Sequence, residues 1–221
     1  MTLLRMEAIT KVFPGVVAND SVSFDLRPGE VHALVGENGA GKTTLMKILY
    51  GLHQPDGGRI FVRDQEVAIQ NPRDAIRKGI GMVHQHFMLV PPFTVTENII
   101  LGEERSAESG GTPWSRFFRR LVLDTSPSER KIRELISHNG LDVDLGRPVE
   151  ELSVGLQQRV EILKILYRGA EVLVFDEPTA VLTPQEVEDL FETLRELTGQ
   201  GKGIVFISHK LDEVLAIADR I

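Results

Sequence analysis

The chain has 221 residues, enough for one large domain or for a core carrying a smaller subdomain. Its 32 acidic residues outnumber 25 basic ones, and a formal charge of −7 argues against a broad nucleic-acid face. Cysteine is absent, which excludes disulfides and cysteine-ligated zinc and fits a reducing compartment.

The N-terminal residues Met1-Thr2-Leu3-Leu4-Arg5-Met6-Glu7 lack the apolar core of a signal peptide. No run approaches the ~18–20 apolar residues that cross a bilayer, so any membrane role is expected to be peripheral. Residues 3–31 alternate strand-like runs with turns. Val22-Ser23-Phe24-Asp25-Leu26 has the period of a half-exposed strand, broken by Arg27-Pro28-Gly29-Glu30. With Arg59-Ile60-Phe61-Val62, which follows the turn Pro55-Asp56-Gly57-Gly58, these pieces predict a small, mostly antiparallel sheet.

Between them lies the strongest signal in the chain. Val31-His32-Ala33-Leu34-Val35 suits a buried strand, and Gly36-Glu37-Asn38-Gly39-Ala40-Gly41-Lys42-Thr43 reads G-x-x-x-x-G-K-T. The residues from Thr44 to Tyr50 can continue as a helix that Gly51 stops. Glycines let the backbone curl so that N–H groups point inward, and the helix start adds partial positive charge. Lys42 is then expected to reach the outer phosphates of a nucleotide, and the Thr43 hydroxyl to ligate Mg²⁺. A glycine-rich turn that binds nothing is the alternative, and the strand–loop–helix context argues against it.

Residues 73–78 predict a short helix and Ile80-Gly81-Met82-Val83 a strand, after which comes Gln85. Residues 102–127, rich in Ser, Gly, Thr, Arg and Glu, are expected to form a mobile connection. Inside it Trp114, Phe117 and Phe118 lie among Arg116, Arg119 and Arg120, a pattern better suited to an amphipathic helix docking on protein than to nucleic acid or lipid. Helical spacing resumes over 128–138 and ends at Asn139-Gly140, so residues 93–167 are expected to be a helical insertion.

Leu152-Ser153-Val154-Gly155-Leu156-Gln157-Gln158 precedes a helix that Ser153 could cap, creating either an anion site or only a good N-cap. Val172-Leu173-Val174-Phe175 is a buried-strand run ending in Asp176 and Glu177. The carboxyl end of a strand next to the phosphate loop is where Mg²⁺ must be held. Asp176 suits that task through a water, and Glu177 could polarise a water attacking the γ-phosphorus. A solvated Asp-Glu-Pro turn is the alternative.

Thr183-Pro184-Gln185-Glu186 opens a helix with a capping box and proline at its first position, with Val187, Leu190, Phe191, Leu194 and Leu197 as its apolar stripe. Residues 203–208 supply the next strand, followed by His209. Strands alternating with helices require right-handed crossovers and predict a parallel sheet. Gln85 and His209 would then share the sheet edge with the nucleotide, a structural or solvated role being the alternative.

Taken together, these residues resemble the ATP-binding-cassette (ABC) ATPases over nearly the whole chain and in the family's motif order. Residues 36–43 match the first Walker motif, Gln85 the Q-loop, residues 152–158 the signature, residues 172–177 the second Walker motif and His209 the switch histidine. The resemblance implies an α/β P-loop NTPase of the ABC ATPase fold, with an antiparallel β subdomain and a helical subdomain near 93–167. It implies ATP and Mg²⁺ as ligands. The nucleotide would be held by Gly36, Glu37, Asn38, Gly39, Ala40, Gly41, Lys42, Thr43 and Thr44, and the metal served by Thr43, Gln85 and Asp176. Catalysis would fall to Glu177, with Lys42, Gln85 and His209 assisting at the γ-phosphate. Phe13 falls where the family stacks an aromatic ring on adenine, with a plain core role as the alternative. Ser153 and Gly155 would contact the nucleotide of an opposing cassette.

The stretches LVGENGAGK, TVTEN, QQRVEILK, DEPTAVLTPQE and FISHKLDEV are similar to ATPase subunits of bacterial sugar and nucleoside importers, closest to the nucleoside branch. This resemblance implies a peripheral protein on the cytoplasmic face of the membrane. Its partners would be a second cassette, in the same polypeptide or as a homodimer, permease subunits and, indirectly, an extracytoplasmic substrate-binding protein; nucleic acid is not expected. Such cassettes normally continue past the last residues into another strand, so the expectation is the first cassette of a tandem polypeptide. Two departures stand out: Val154 and Leu156 replace residues of the usual Leu-Ser-Gly-Gly-Gln signature, and Thr183 stands where an Asp is usual. They leave open a regulatory, low-turnover half. A soluble ABC protein acting on ribosomes or nucleic acid is the other alternative.

Overall fold

The computed structural model describes residues 2–85, 87–102 and 126–221. The basic–aromatic cluster around Trp114 lies outside the described residues, as does most of the connection expected over 102–127. The chain divides into two compact units, one of residues Met1–Met88 with Arg168–Ile221, the other of residues Leu89–Tyr167.

The first unit holds two sheets. Strands β1 (Leu4–Phe13), β2 (Val16–Leu26), β4 (Gly57–Val62) and β5 (Gln65–Val67) form an antiparallel sheet in the order β2-β1-β4-β5. Strands β1 and β4 and the second half of β2 mix buried with accessible positions, as expected where one face packs on a core and the other meets water. Leu4, Met6, Ile9, Leu26 and Ile60 supply the inward side. The strand read over 22–26 extends back to Val16, because its first half pairs with β1 through irregular register rather than through clean alternation.

The second sheet is parallel, in the order β3-β8-β7-β6, from β3 (Val31–Val35), β6 (Ile80–Val83), β7 (Val172–Asp176) and β8 (Gly203–Ser208). Every residue of β6, β7 and β8 is buried, the mark of a sheet covered on both faces. Helices α1 (Lys42–Leu49), α2 (Pro72–Arg77), α6 (Pro184–Gly199) and α7 (Leu211–Ile217) belong to the same unit. Helix α6 has the expected capping box between Thr183 and Glu186, with Pro184 in its first turn and Leu190, Phe191, Leu194 and Leu197 buried. The Phe191 ring meets the fully buried Phe206 of β8 edge-on.

The second unit is helical: α3 (Val95–Ile100), α4 (Ser126–Asn139), a single 3₁₀ turn (Val149–Glu151) and α5 (Val154–Tyr167). Helix α3 went unread in the sequence, although Thr94 and Glu97 have capping-box spacing. Six residues are too few for a 3.6 period to declare itself. The buried Asn98 on this helix fixes the chain before it: its amide donates to the carbonyls of Val90, Phe93 and Thr94, and its carbonyl accepts from Val90 N–H at 2.7 Å.

Candidate nucleotide site

The four parallel strands end together. Val35 lies beside Ser208, Ile207 beside Asp176, and Val83 beside Phe175. The residues that follow, Gly36, His209, Glu177 and His84-Gln85, therefore leave the sheet at one edge, the edge where open α/β sheets bind ligands.

The phosphate loop begins where β3 ends. Gly39 and Gly41 have φ +88° each, a backbone that only glycine adopts without strain. At Gly41 space adds a second constraint, because a Cβ there would sit 2.2 Å from the Ala18 carbonyl oxygen on β2. The Asn19 side-chain amide, also on β2, donates to the Gly41 carbonyl at 3.3 Å, so the antiparallel sheet braces the loop. Helix α1 starts at Lys42, earlier than the sequence suggested, with Gly41 as N-cap and no side chain capping it. Its first-turn N–H groups are thus left for an anion. The Lys42 ammonium donates to the carbonyls of Gly36 at 2.6 Å and Glu37 at 2.9 Å, which holds its charge over the loop.

Strand β8 separates β3 from β7, so the strand bearing Asp176 does not pair with the phosphate-loop strand. Helix α1 closes the gap: the Thr43 hydroxyl donates to Asp176 Oδ1 at 3.3 Å. Burial raises the Asp176 carboxyl above its ordinary range; the Glu177 charge pushes the same way, against the Thr43 hydroxyl, His84 and Lys47. A carboxylate and a hydroxyl paired in this way suit a hard divalent cation, which would relieve the cost of that buried charge. The loop and this oxygen pair thus fit a magnesium–nucleotide.

Glu177 leaves β7 with φ +50°, unusual for a side-chain-bearing residue, and its N–H donates to the Ile207 carbonyl of β8 at 3.0 Å. That turn aims the carboxylate at His209, whose Nδ1 lies 2.9 Å from both carboxylate oxygens. A carboxylate only accepts, so Nδ1 donates. Gln85 is exposed just past β6. Phe13 ends β1 half-exposed, its ring edge-on to His53 at 5.5 Å and within 5.5 Å of the Lys11 ammonium.

In the helical unit, Ser153 precedes α5 and its Oγ accepts the Leu156 N–H at 3.4 Å. Gln157 ties the same turn back to the carbonyls of Leu152 and Val149. The cap is therefore present; Val154 is 37% exposed in the first turn. The sequence reading missed Asn19 and Asn98, since a lone Asn carries no positional signal until the fold shows what it reaches.

A strand–loop–helix phosphate cradle, facing a buried strand-tip aspartate on a parallel sheet, defines a phosphate-loop nucleotide-binding protein. Residues 19–180 match the family model for the ABC transporter, and the chain belongs to that family. It is 51% identical, over 100% of its length, to the nucleoside import ATP-binding protein NupA of Lactococcus lactis. It is 50% identical, over 99%, to the glucose import ATP-binding protein TsgD13 of Haloferax volcanii. In each case the chain spans less than half of the relative, 41% and 42% respectively. An ATP-binding cassette of an ABC transporter, solved in its ADP conformation, shares the fold with TM-score 0.85 and 30% identity, over 99% of this chain and 85% of that one. The ABC ATPase fold expected from the motifs is the fold of this chain.

Proposed function

We propose that this chain is the ATP-binding and ATP-hydrolysing cassette of an importer for a sugar or nucleoside. The observation that carries the reading is the meeting at one sheet edge of Thr43 with Asp176 and of Glu177 with His209. Magnesium–ATP, when bound, supplies the reactive phosphoric anhydride. Lys42 and the amides of residues 39–44 bind its phosphates; Thr43, Asp176 and Gln85 serve the metal. Phe13 offers the adenine a stacking face. Glu177 orients a water and takes its proton, and His209 holds Glu177 and faces the γ-phosphate position. Such a site works by positioning and charge stabilisation rather than covalent chemistry.

The relatives support the partner roles. Two of them are import ATP-binding proteins more than twice the length of this chain, consistent with a second cassette and a membrane permease as partners. The protein would then sit on the inner membrane face. Ser153 and Gly155 would serve the nucleotide bound by the opposing cassette, and Val154 and Leu156 would tune that other site rather than this one. Among the described residues no helix is long and apolar enough to cross a membrane.

The test is Glu177→Gln in the complete transporter. ATP binding is expected to persist while the hydrolysis attributable to this cassette falls by roughly a hundredfold to a thousandfold. Wild-type hydrolysis in that variant would reject the role given to Glu177.

A further inference from the structure

Behind the reacting edge lies a second carboxylate that the proposed site does not use. Glu213 sits in the first turn of α7, and its side chain is largely buried. Its Oε2 accepts from the Thr179 hydroxyl at 2.5 Å and from the Ser208 hydroxyl at 3.3 Å. Its Oε1 accepts from the Lys210 ammonium at 2.8 Å. Ser208 Oγ in turn accepts the Lys210 N–H at 3.1 Å. Thr179 and Ser208 are 1% and 0% exposed, so these hydroxyls have no water to fall back on.

The connectivity matters more than the count of bonds. Thr179 is two residues beyond Glu177; Ser208 and Lys210 are the immediate neighbours of His209. One carboxylate therefore grips the segment leaving Glu177 and both shoulders of His209. The strands themselves stop short of this: β7 and β8 last pair at Asp176 and Ile207. Past that point, among the described residues, the Glu177 N–H to Ile207 carbonyl bond and the Glu213 grip join the two loops beside the His209–Glu177 contact itself.

We infer that Glu213 is a positioning residue for hydrolysis, setting the approach of His209 to Glu177 by tying their two loops together. The inference rests on the site proposed above. It differs from a role in helix stability alone, which the acidic first turn of α7 would also explain. A stabiliser of α7 would lower the melting temperature and leave turnover per folded molecule alone. A positioning residue lowers turnover, spares nucleotide affinity, and acts through His209.

The experiment measures ATP affinity and hydrolysis in the complete polypeptide reconstituted with its permease, with Glu177→Gln as the blank for this cassette. Glu213→Ala is expected to lower the rate about tenfold to a hundredfold, the usual effect of a misplacement of about 1 Å. Affinity should stay within about twofold, because the Lys42 loop is untouched. Glu213→Gln, which keeps an acceptor oxygen, should retain more activity than Glu213→Ala. Thr179→Val, nearly isosteric, should lose activity in the same direction and covers the case in which Glu213→Ala folds poorly. The decisive arm is the double variant: in a His209→Ala background, Glu213→Ala should change the rate less than about twofold. A wild-type rate for Glu213→Ala or Thr179→Val beside an impaired His209→Ala would overturn this inference alone, as would fully additive losses in the double variant. A wild-type rate for His209→Ala would overturn the proposed site, and this inference with it.

Discussion

Two aspartates in the two sheets of the same unit have been moved in opposite directions. Asp25, on the antiparallel strand β2, is held below the ordinary carboxylate range, chiefly by the Arg220 guanidinium that donates to it at 2.7 Å. Asp176, at the tip of the parallel strand β7, is raised above that range, chiefly by burial. The difference follows from the sheets. The antiparallel strands keep a wet face, where a charge finds water or a partner. The parallel strands are covered on both sides, so a carboxylate at their tip carries a burial cost that Thr43, His84 and Lys47 only partly offset. A protein that tolerates such a cost invites the reading that a cation meets it.

The largest effect that could break this contrast is at the cation already present. Lys42→Ala should weaken ATP binding by about 2–3 kcal/mol, roughly a hundredfold in Kd, since it removes charge-assisted bonds to the phosphates. Isothermal titration on the purified protein checks it; an unchanged Kd would remove the phosphate site from the parallel sheet's edge. Gly41→Ala comes next. The left-handed backbone alone costs about 1–2 kcal/mol, and the added Cβ drives into the Ala18 carbonyl, so a lower melting temperature and lost ATP affinity should appear together.

Asp176→Asn sharpens the contrast directly, through pH. A raised native pKa means the folded state holds the proton more tightly than the unfolded chain does. The carboxyl's contribution to stability therefore falls as pH rises from 3.8 through its native value and stays lower above it. Asn cannot ionise, so Asp176→Asn should melt higher than the parent at neutral pH without magnesium. The two should converge below pH 3.8, and magnesium should stabilise only the parent. For Asp25 the sign is reversed. Its contribution is present above pH 3.8 and lost as pH falls through the depressed native value. With the Asp25 side chain 38% exposed, Asp25→Asn should cost under about 1 kcal/mol in denaturant titrations at neutral pH. Asp25→Asn melting higher than the parent at neutral pH, with Asp176→Asn melting lower, would invert the comparison.

What could be read in the sequence follows the same division. The parallel strands declared themselves as continuous apolar runs: 31–35, 80–83 and 203–208 were bounded as they stand, and the phosphate loop carried its own spacing. The antiparallel sheet was legible as a class, but its details were not. Register slips along β1 break the alternation that would have marked β2's first half, and β5 spans only Gln65–Val67. In the site, motif residues could be named because type and spacing are local. What braces them is not local. Asn19 reaches Gly41 across 22 positions, and Glu213 reaches Thr179 across 34, with no periodic signal at either end. Strand order was not legible either, since it depends on crossovers that no single motif records.

One measurement bears most directly on the central claim: the structure of the Glu177→Gln protein with ATP and Mn²⁺, the metal located by anomalous scattering. The metal is expected beside Thr43 Oγ1 and the Asp176 carboxylate, with the outer phosphates against Lys42 Nζ. Nucleotide bound with its metal away from Asp176, or a phosphate loop left empty at saturating ATP, would contradict it.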